Sequence, residues 1–487
     1  MKFDFMIEPW AHQLKEFHAS KDLEAHALHW QMRTGKTKVV IDTAMYLYIE
    51  NKIDVVLVIT RSGVHSNWVR KEIPKHCSIP YDAEWWDTDR IGKVSYLERL
   101  REVLRCESLI FVAINNESFI KPRAKQYIRR LLKMRVMLVI DEVHDFGSPS
   151  SKRFKAARAL AKHCSYRRTM TGTNNGNSPL RNWAQFEILQ ERALGYKNYT
   201  PFKKRYGIIE WQRKKNGRMY EDITGYQNLV ELQAAIDTLS STITRKDCPD
   251  LPPLIASAFD VRITAIQRHA YRTLKRKFKI ALEDGSIFTA AEASVRRLKL
   301  QQVLSNFIKD EKGVVHTIDQ TNNPRMDALM VQLEDADGKV IIWCRFKQDI
   351  ANVAQRLIAE GIGFVEYHGD VAKADRFKAE ARFRYNPTCL VFLGQPQSAG
   401  LGLDLSTADT IVWYSHTDDI VIRDQANERA TEKGSSSVAV IDLIVPDSVD
   451  EDILDNLGGK RAINEFMNEA RTDWRQCALA SLERDTI

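Results

Sequence analysis

VMLVIDEVHD, residues 136–145, runs five apolar residues straight into two adjacent carboxylates, followed by His144 and Asp145. A short, continuous apolar run suits a strand covered on both faces, as strands are in a parallel sheet. Ligands of open α/β sheets gather at the carboxyl ends of the strands. The run therefore places Asp141 and Glu142 on the edge where such a fold does its chemistry. Upstream, MRTGKTKVV (32–40) follows a hydrophobic stretch and opens a helix. Backbone N–H groups at a helix N-terminus hold anionic oxygens, a lysine there meets β/γ-phosphates, and a hydroxyl meets Mg²⁺. Arg33, Thr34, Gly35, Lys36 and Thr37 thus read as the second half of a phosphate-binding loop, whose usual first glycine is Trp30 here. In this reading Asp141, with Thr37, holds Mg²⁺, partly through water, and Glu142 polarises the attacking water.

Further strands extend the pattern outward: DVVLVIT (54–60) and SLIFVAI (108–114) before a midsection, KVIIWC (339–344), CLVFLG (389–394), TIVWYS (410–415) and VAVIDLIV (438–445) after it. Amphipathic stretches such as 39–50, 151–162 and 347–360 lie between them. This is α/β alternation in two blocks. Between the blocks, 227–242 and 264–308 read as helical, and Pro249, Pro252 and Pro253 punctuate their join. The expected organisation is a first parallel-sheet lobe over 1–185, a largely helical insertion over 186–320, a second lobe over 321–465, and a tail over 466–487.

At roughly 100 to 200 residues per domain, 487 residues predict about three domains. No run of about 18 apolar residues such as a membrane helix requires is present. The N-terminal MKFDFMIEPWAHQ lacks the apolar core and cleavage site of a secretory leader. Seven cysteines are scattered singly, without zinc spacing, so free thiols in a reducing cytoplasm are expected. The net charge of +8 gathers in knots at Arg129/Arg130/Lys133/Arg135, Lys203/Lys204/Arg205, Arg213/Lys214/Lys215 and Lys275/Arg276/Lys277. A charge knot is ordinarily a solvated face, but several in one chain make a polyanionic partner plausible.

Lys36 with Asp141, Glu142, Val143 and His144 resembles the DExH signature of superfamily-two helicases, and further motifs follow in that family's order. Pro9 and Gln13 resemble its adenine-reading glutamine motif. VITRSGVHSNWVRKEI (58–73), with Arg61, resembles the segment that touches nucleic-acid backbone. MTGTNNG (170–176) resembles the coupling motif through Thr171 and Thr173. YHGD (367–370), SAGLGLDLSTAD (398–409) and QANERATEKG (425–434) resemble the second-lobe motifs. The midsection is similar to Snf-type ATPases: Phe202/Arg205/Tyr206, Arg245/Lys246/Leu251/Pro252 and Gln267/Tyr271 match their F-x-x-R-Y, R-K…L-P and Q-x-x-x-Y patterns, and LKLQQVLSNF (298–307) resembles the helix that follows.

This resemblance implies two RecA-like lobes clamping ATP and Mg²⁺. Gln13, the 33–37 loop, Gly402, Asp404 and Gln425 would bind nucleotide, and Lys36, Asp141, Glu142 and Arg429 would be catalytic. Arg61, Thr171, Thr173, Lys203, Lys204, Arg205, Arg245, Lys246 and Ser398 would face nucleic acid. It further implies a monomer acting on duplex, forked or branched DNA, akin to compact phage or bacterial members. Two departures stand out. Glu432, with Lys433 beside it, replaces the final motif's second arginine, and Asp404 stands where Asn is commoner. Arg429 alone, Lys433 or another basic residue would then carry the finger's charge. A strand-unwinding DNA or RNA helicase and a nucleotide-gated DNA-binding module of feeble hydrolysis are the alternatives to a duplex translocase.

Overall fold

The apolar runs pair in parallel, and they do so in two separate sheets. The computed structural model describes residues 3–172, 178–213, 219–248, 251–283, 290–401, 403–431 and 437–462. Thr173, Gly402, Glu432, Lys433 and the tail over 466–487 lie outside them. The chain divides into a first unit, Met1–Ile208 with Thr224–Pro249, and a second, Ile209–Ile223 with Asp250–Ala462.

The first unit contains β1 (Ala25–Trp30), β2 (Val55–Thr60), β3 (Tyr81–Trp85), β4 (Leu109–Asn115), β5 (Val136–Asp141) and β6 (Tyr166–Thr171). A hairpin, β7 (Gly207–Arg213) with β8 (Met219–Tyr226), precedes β9 (Ser240–Ile243). The sheet order is β3-β4-β2-β5-β6-β1-β9, every neighbour parallel. Because side chains alternate across a strand, Val55, Leu57 and Ile59 enter one core with Ile110, Val112, Leu138 and Ile140. Val56 and Val58 enter the core of the other face with Phe111, Met137 and Val139. Two buried faces explain why these strands read as continuous apolar runs.

The second unit contains β10 (Leu254–Asp260), β11 (Phe307–Lys309), β12 (Val315–Thr317), β13 (Lys339–Trp343), β14 (Phe364–Tyr367), β15 (Val391–Gly394), β16 (Ala408–Trp413) and β17 (Val438–Ile444). Its sheet, β10-β17-β16-β13-β15-β14, is again parallel throughout. Val340 and Ile342 face one core, Ile341 and Trp343 the other. Among the described residues no helix is long and apolar enough to cross a membrane.

The midsection over 186–320 contains both helices and strands. Helices do occupy Leu229–Asp237, Ala265–Glu283 and Ala290–Leu304. However, β9 extends the first sheet beside β1, and β10 extends the second beside β17. SSTI and LIASAFD are weak strand signals in isolation. Each becomes a strand because a neighbouring edge offers unpaired N–H and C=O groups.

Candidate functional site

Parallel pairing brings the carboxyl ends of β2, β5, β6 and β1 to one edge of the first sheet. After β1 the chain turns through Arg33 (φ 64°) and Gly35 (φ 85°) before the helix Lys36–Ile49. Gly35 is required twice over: the conformation is left-handed, and a Cβ there would lie 2.0 Å from Gln13 Nε2. Gln13 is thus packed against the loop. Its amide donates to Thr34 O (3.2 Å) and its oxygen accepts from Trp10 N–H (2.9 Å). His12 Nε2 meets the same Thr34 carbonyl at 2.8 Å, and Thr34 Oγ1 donates to Gln31 O at 2.7 Å. Trp30, in place of the usual first glycine, is fully buried at the strand end and donates to Ser241 Oγ on β9 (2.9 Å). The Lys36 ammonium donates to Trp30 O (2.7 Å) and Gln31 O (3.1 Å).

The Arg245/Lys246 motif closes this loop from β9. Gln31 N–H donates to Ile243 O (2.8 Å), and Arg245 N–H donates to Gln31 Oε1 (2.6 Å). The backbone of Arg245 therefore braces the phosphate loop, and Lys246 is exposed. Nothing in the spacing of 243–253 signals this bracing, because it depends on β9 lying beside β1.

At the end of β5, Asp141 Oδ2 accepts from Thr60 Oγ1 and Trp68 Nε1, both at 3.2 Å. Glu142 takes a left-handed conformation (φ 55°, ψ 51°). Such backbone is uncommon for a side-chain-bearing residue and gathers at functional sites. It turns the chain into the short 3-10 helix Val143–Phe146. His144 there meets Thr171 Oγ1 through Nδ1 (3.0 Å), close to Glu142 Oε2 (3.2 Å). Gly172 follows Thr171 at a similarly close approach: a Cβ would lie 2.9 Å from Met32 Cγ. Thr171 is wholly buried. Its hydroxyl links the end of β6 to the DExH turn through His144.

Arg61 is engaged at the same turn. Its Nε and Nη2 donate to Asp145 Oδ2 and Oδ1 at 2.7 and 2.8 Å, and Nη2 meets His144 Nε2 at 2.8 Å. Asn116 Nδ2 adds a bond to Asp145 Oδ2 (3.1 Å). Burial works against the Arg61 charge, yet Asp145 more than compensates and holds the guanidinium firmly protonated. Its planar fork engages the Asp145 carboxylate, while its side chain stays 24% exposed. Asp145 was visible in the quoted run, but its partner is far away in sequence.

Electrostatics separate the two adjacent acids. Burial lifts the Asp141 carboxyl, and the charge of Glu142 lifts it further, to about 6. Burial would lift Glu142 too, but His144, Arg61 and Lys36 outweigh it and pull the group down to about 2. Glu142 is thus the anion that persists, which suits it to orient a water, whereas Asp141 is a carboxylate whose charge is poorly offset. That donor chemistry, a buried carboxylate and the Thr37 hydroxyl in the first turn of the helix Lys36–Ile49, fits a hard divalent cation with mostly water and phosphate ligands.

The remaining expected residues have mixed placements. Lys204 is exposed, whereas Arg205 is engaged with Glu231, which also accepts from Tyr206 OH (2.9 Å). In the second unit, Gln425 is buried on the helix Ile420–Asn427, and Arg429 lies on the turn Glu428–Ala430 that follows. Leu405 N–H donates to Arg429 O (3.0 Å), which joins the 398–409 motif to the final one. Asp404 pairs with Arg384 (2.9 Å) and accepts from Ser406 N–H (3.2 Å). Ser398 is half-buried on the turn Pro396–Leu401.

Residues 324–434 match the family model described as Helicase conserved C-terminal domain. Over 460 residues the chain is 22% identical to a probable chromatin-remodeling complex ATPase chain of Oryza sativa subsp. japonica, covering 90% of this chain and 38% of that protein. Over 369 residues it is 25% identical to TATA-binding protein-associated factor MOT1 of Saccharomyces cerevisiae, covering 65% of this chain and 19% of that one. The SWI2/SNF2 ATPase core of Sulfolobus solfataricus in complex with dsDNA shares 20% identity, with 95% of this chain and 93% of that chain covered at a TM-score of 0.41. The chain resembles Snf-type superfamily-two ATPases along most of its length, and spans about a fifth to two fifths of these two curated relatives.

Proposed function

We propose that this chain, with a helicase C-terminal module in its second unit, is an ATPase that uses hydrolysis to translocate along duplex DNA and to remodel forks or branched intermediates. The observation that carries the ATPase reading is the carboxyl edge of the first sheet. There one network links Arg61, Asp145, His144 and Thr171 to Glu142, beside a phosphate-type loop with Lys36 at its helix start.

Phosphoryl transfer asks little covalent chemistry of a protein, so positioning and charge dominate. The loop N–H groups and Lys36 would hold the β/γ-phosphates, and Gln13 would set the loop against the first helix. Glu142, kept ionised, would orient the water and take its proton. Thr37 and Asp141 would hold Mg²⁺, which when bound would supply positive charge against the phosphates. Thr171 and Gly172 sit where a change at the phosphate loop or at His144 would be passed to β6. Arg429 is assigned the transition-state charge, with Lys433 or another basic residue as its alternative where Glu432 stands at the second arginine position. The DNA reading rests on the Snf-type motifs, the basic knots and the kinds of protein the chain resembles.

The test is ATP turnover measured without DNA and with single-stranded, duplex, forked and four-way DNA, together with displacement of a triplex strand from linear duplex. Duplex-stimulated turnover with triplex displacement is expected, as is conversion of forked DNA with little unwinding of tailed duplex. Efficient unwinding of tailed duplex without triplex displacement would instead establish a strand-separating helicase. Nucleotide-dependent DNA binding with negligible turnover would establish a gated binding module.

A further inference from the structure

The helix Pro122–Leu131 carries a solvent face that none of the nucleotide chemistry uses. Ala124, Tyr127, Ile128 and Leu131 turn into the core on one face of the first sheet, whereas the helix after the phosphate loop packs on the other face through Val39, Ile41 and Ala44. On and beside the helix the exposed positions are Lys121, Arg123, Lys125, Arg129, Arg130 and Lys133, interrupted only by Pro122 and Gln126. No acid lies between Glu117 and Asp141 in the sequence. Among the described residues no ion pair joins any of these six cations to a carboxylate: Glu117 meets Arg153, and Glu102 of the neighbouring helix meets Arg99. Arg135, the next cation along the chain, pairs with Asp54.

Folding alone does not reward this arrangement. Lys121, Lys125, Arg129 and Lys133 recur every four residues, so like charges repel along one ridge. Cations suit the C-terminal end of a helix, which accounts for Arg129 and Arg130, but at the N-terminal end Lys121, Arg123 and Lys125 oppose the macrodipole. A polyanion laid along the ridge removes both penalties. At about 1.5 Å per residue the ridge runs about 18 Å, which faces about five phosphates of one duplex strand at about 3.4 Å each. An anionic membrane is a poorer match, because the apolar side of this helix is buried in the core and cannot enter lipid. The chain leaves the carboxyl edge after β4 and returns to the opposite edge before β5, so Arg129, Arg130 and Lys133 lie away from the nucleotide edge.

We propose that this face is a second DNA-docking surface, whose six cations pair with the phosphates of a duplex arm other than the one the motor tracks. The inference rests on the DNA-motor reading above and adds to it a means of holding two arms of a forked or branched substrate at once. Contacts to phosphate alone position a duplex without reading its bases, so the docking has no sequence preference.

The experiment uses the full chain with two triple substitutions, Lys121→Gln/Arg123→Gln/Lys125→Gln and Arg129→Gln/Arg130→Gln/Lys133→Gln, and with the charge-keeping Arg129→Lys/Arg130→Lys. The first triplet relieves repulsion and should melt at or above the wild-type temperature, which separates lost docking from lost folding. Binding of four-way DNA is titrated across salt concentrations, beside capture of a second labelled duplex by protein already loaded on an immobilised duplex. Each triplet should lower the salt slope by about 0.9 per lost phosphate contact, or about 2 to 3 in all, and should remove most of the capture. ATP turnover at saturating short duplex should stay at the wild-type rate, and the charge-keeping variant should retain both slope and capture. An unchanged slope and unchanged capture in both triplets, with duplex-stimulated turnover intact in wild type, would overturn the docking surface and leave the motor reading standing. Turnover at saturating duplex that falls along with the slope would put these cations on the tracked duplex and overturn the second surface. Binding of polyglutamate that each triplet abolishes, with DNA binding unaltered, would assign the face to an acidic protein segment and likewise overturn the proposal. Wild-type protein that binds no DNA of any form would overturn both readings.

Discussion

Replacing Arg61 with methionine keeps an unbranched apolar stem and removes the guanidinium and its charge. The substitution deletes two charge-assisted bonds to Asp145, at 2.7 and 2.8 Å, and the bond to His144 at 2.8 Å. Asp145 is left with Asn116 at 3.1 Å and His144 Nε2 at 3.6 Å. Removing one member of a fully buried pair costs about 3–5 kcal/mol, and hydrogen bonds to charged groups about 1.5–3 kcal/mol. Here the side chains are 24% and 19% exposed, so water recovers part of the loss. We expect about 3 kcal/mol off the stability of the first unit. In a double-mutant cycle with Asp145→Asn, denaturant unfolding should give a coupling of about 2 kcal/mol, within the range for residues in contact. A second effect separates positioning from mere structural support. The Arg61 charge helps to pull Glu142 down, so its removal should raise the Glu142 pKa and shift the acid limb of ATP turnover to higher pH. DNA binding should keep its salt slope, because the guanidinium is already spent on Asp145. A coupling under about 0.5 kcal/mol with an unmoved acid limb would refute the network, and a salt slope reduced by about one unit would return Arg61 to the DNA.

Three further outcomes follow from the structure. Glu142→Gln keeps the volume and loses the base, so nucleotide should still bind while turnover falls by about 10²- to 10⁴-fold; near-normal turnover would move the water-orienting role elsewhere. Gly35→Ala puts a Cβ against Gln13 in left-handed backbone, which costs about 1–2 kcal/mol before Gln13 is displaced. Nucleotide affinity measured by titration should fall at least several-fold, and an unchanged affinity would show the loop to be more pliant than its contacts imply. In the second unit, burial raises the Asp349 carboxyl to about 7, against the pull of Ser415, Arg325 and Ser305. The folded state then holds the proton more tightly than the unfolded chain, so stability falls as pH rises from about 4 to about 7 and the full cost remains above that. Asp349→Asn should flatten this slope and raise the melting temperature at pH 8, for a ceiling of about 4 kcal/mol at 1.36 kcal/mol per pKa unit; a melting temperature with the wild-type pH dependence would refute it.

The sequence by itself determined the class of fold and the chemical alphabet of the site. Continuous apolar runs such as 54–60, 136–141 and 438–445 need cover on both faces, and their alternation with amphipathic stretches points to parallel sheets under helices. The T-G-K-T loop and the D-E pair are local signals, complete within a few residues, which is why their motifs were legible without a structure. Tertiary structure decided everything that depends on a partner distant along the chain. It converted Ser240–Ile243 and Leu254–Asp260 into edge strands, because a backbone edge beside them had hydrogen bonds to offer. It brought Arg61 to Asp145 and His144, and Thr171 to His144, pairings between residues far apart in sequence that the motif order alone does not show. It also split Asp141 from Glu142, two like carboxylates that no spacing rule can tell apart. A pKa is set by the charges and dipoles within a few ångströms, and those neighbours come from β2, β6 and the phosphate loop, which only the folded sheet brings to one edge.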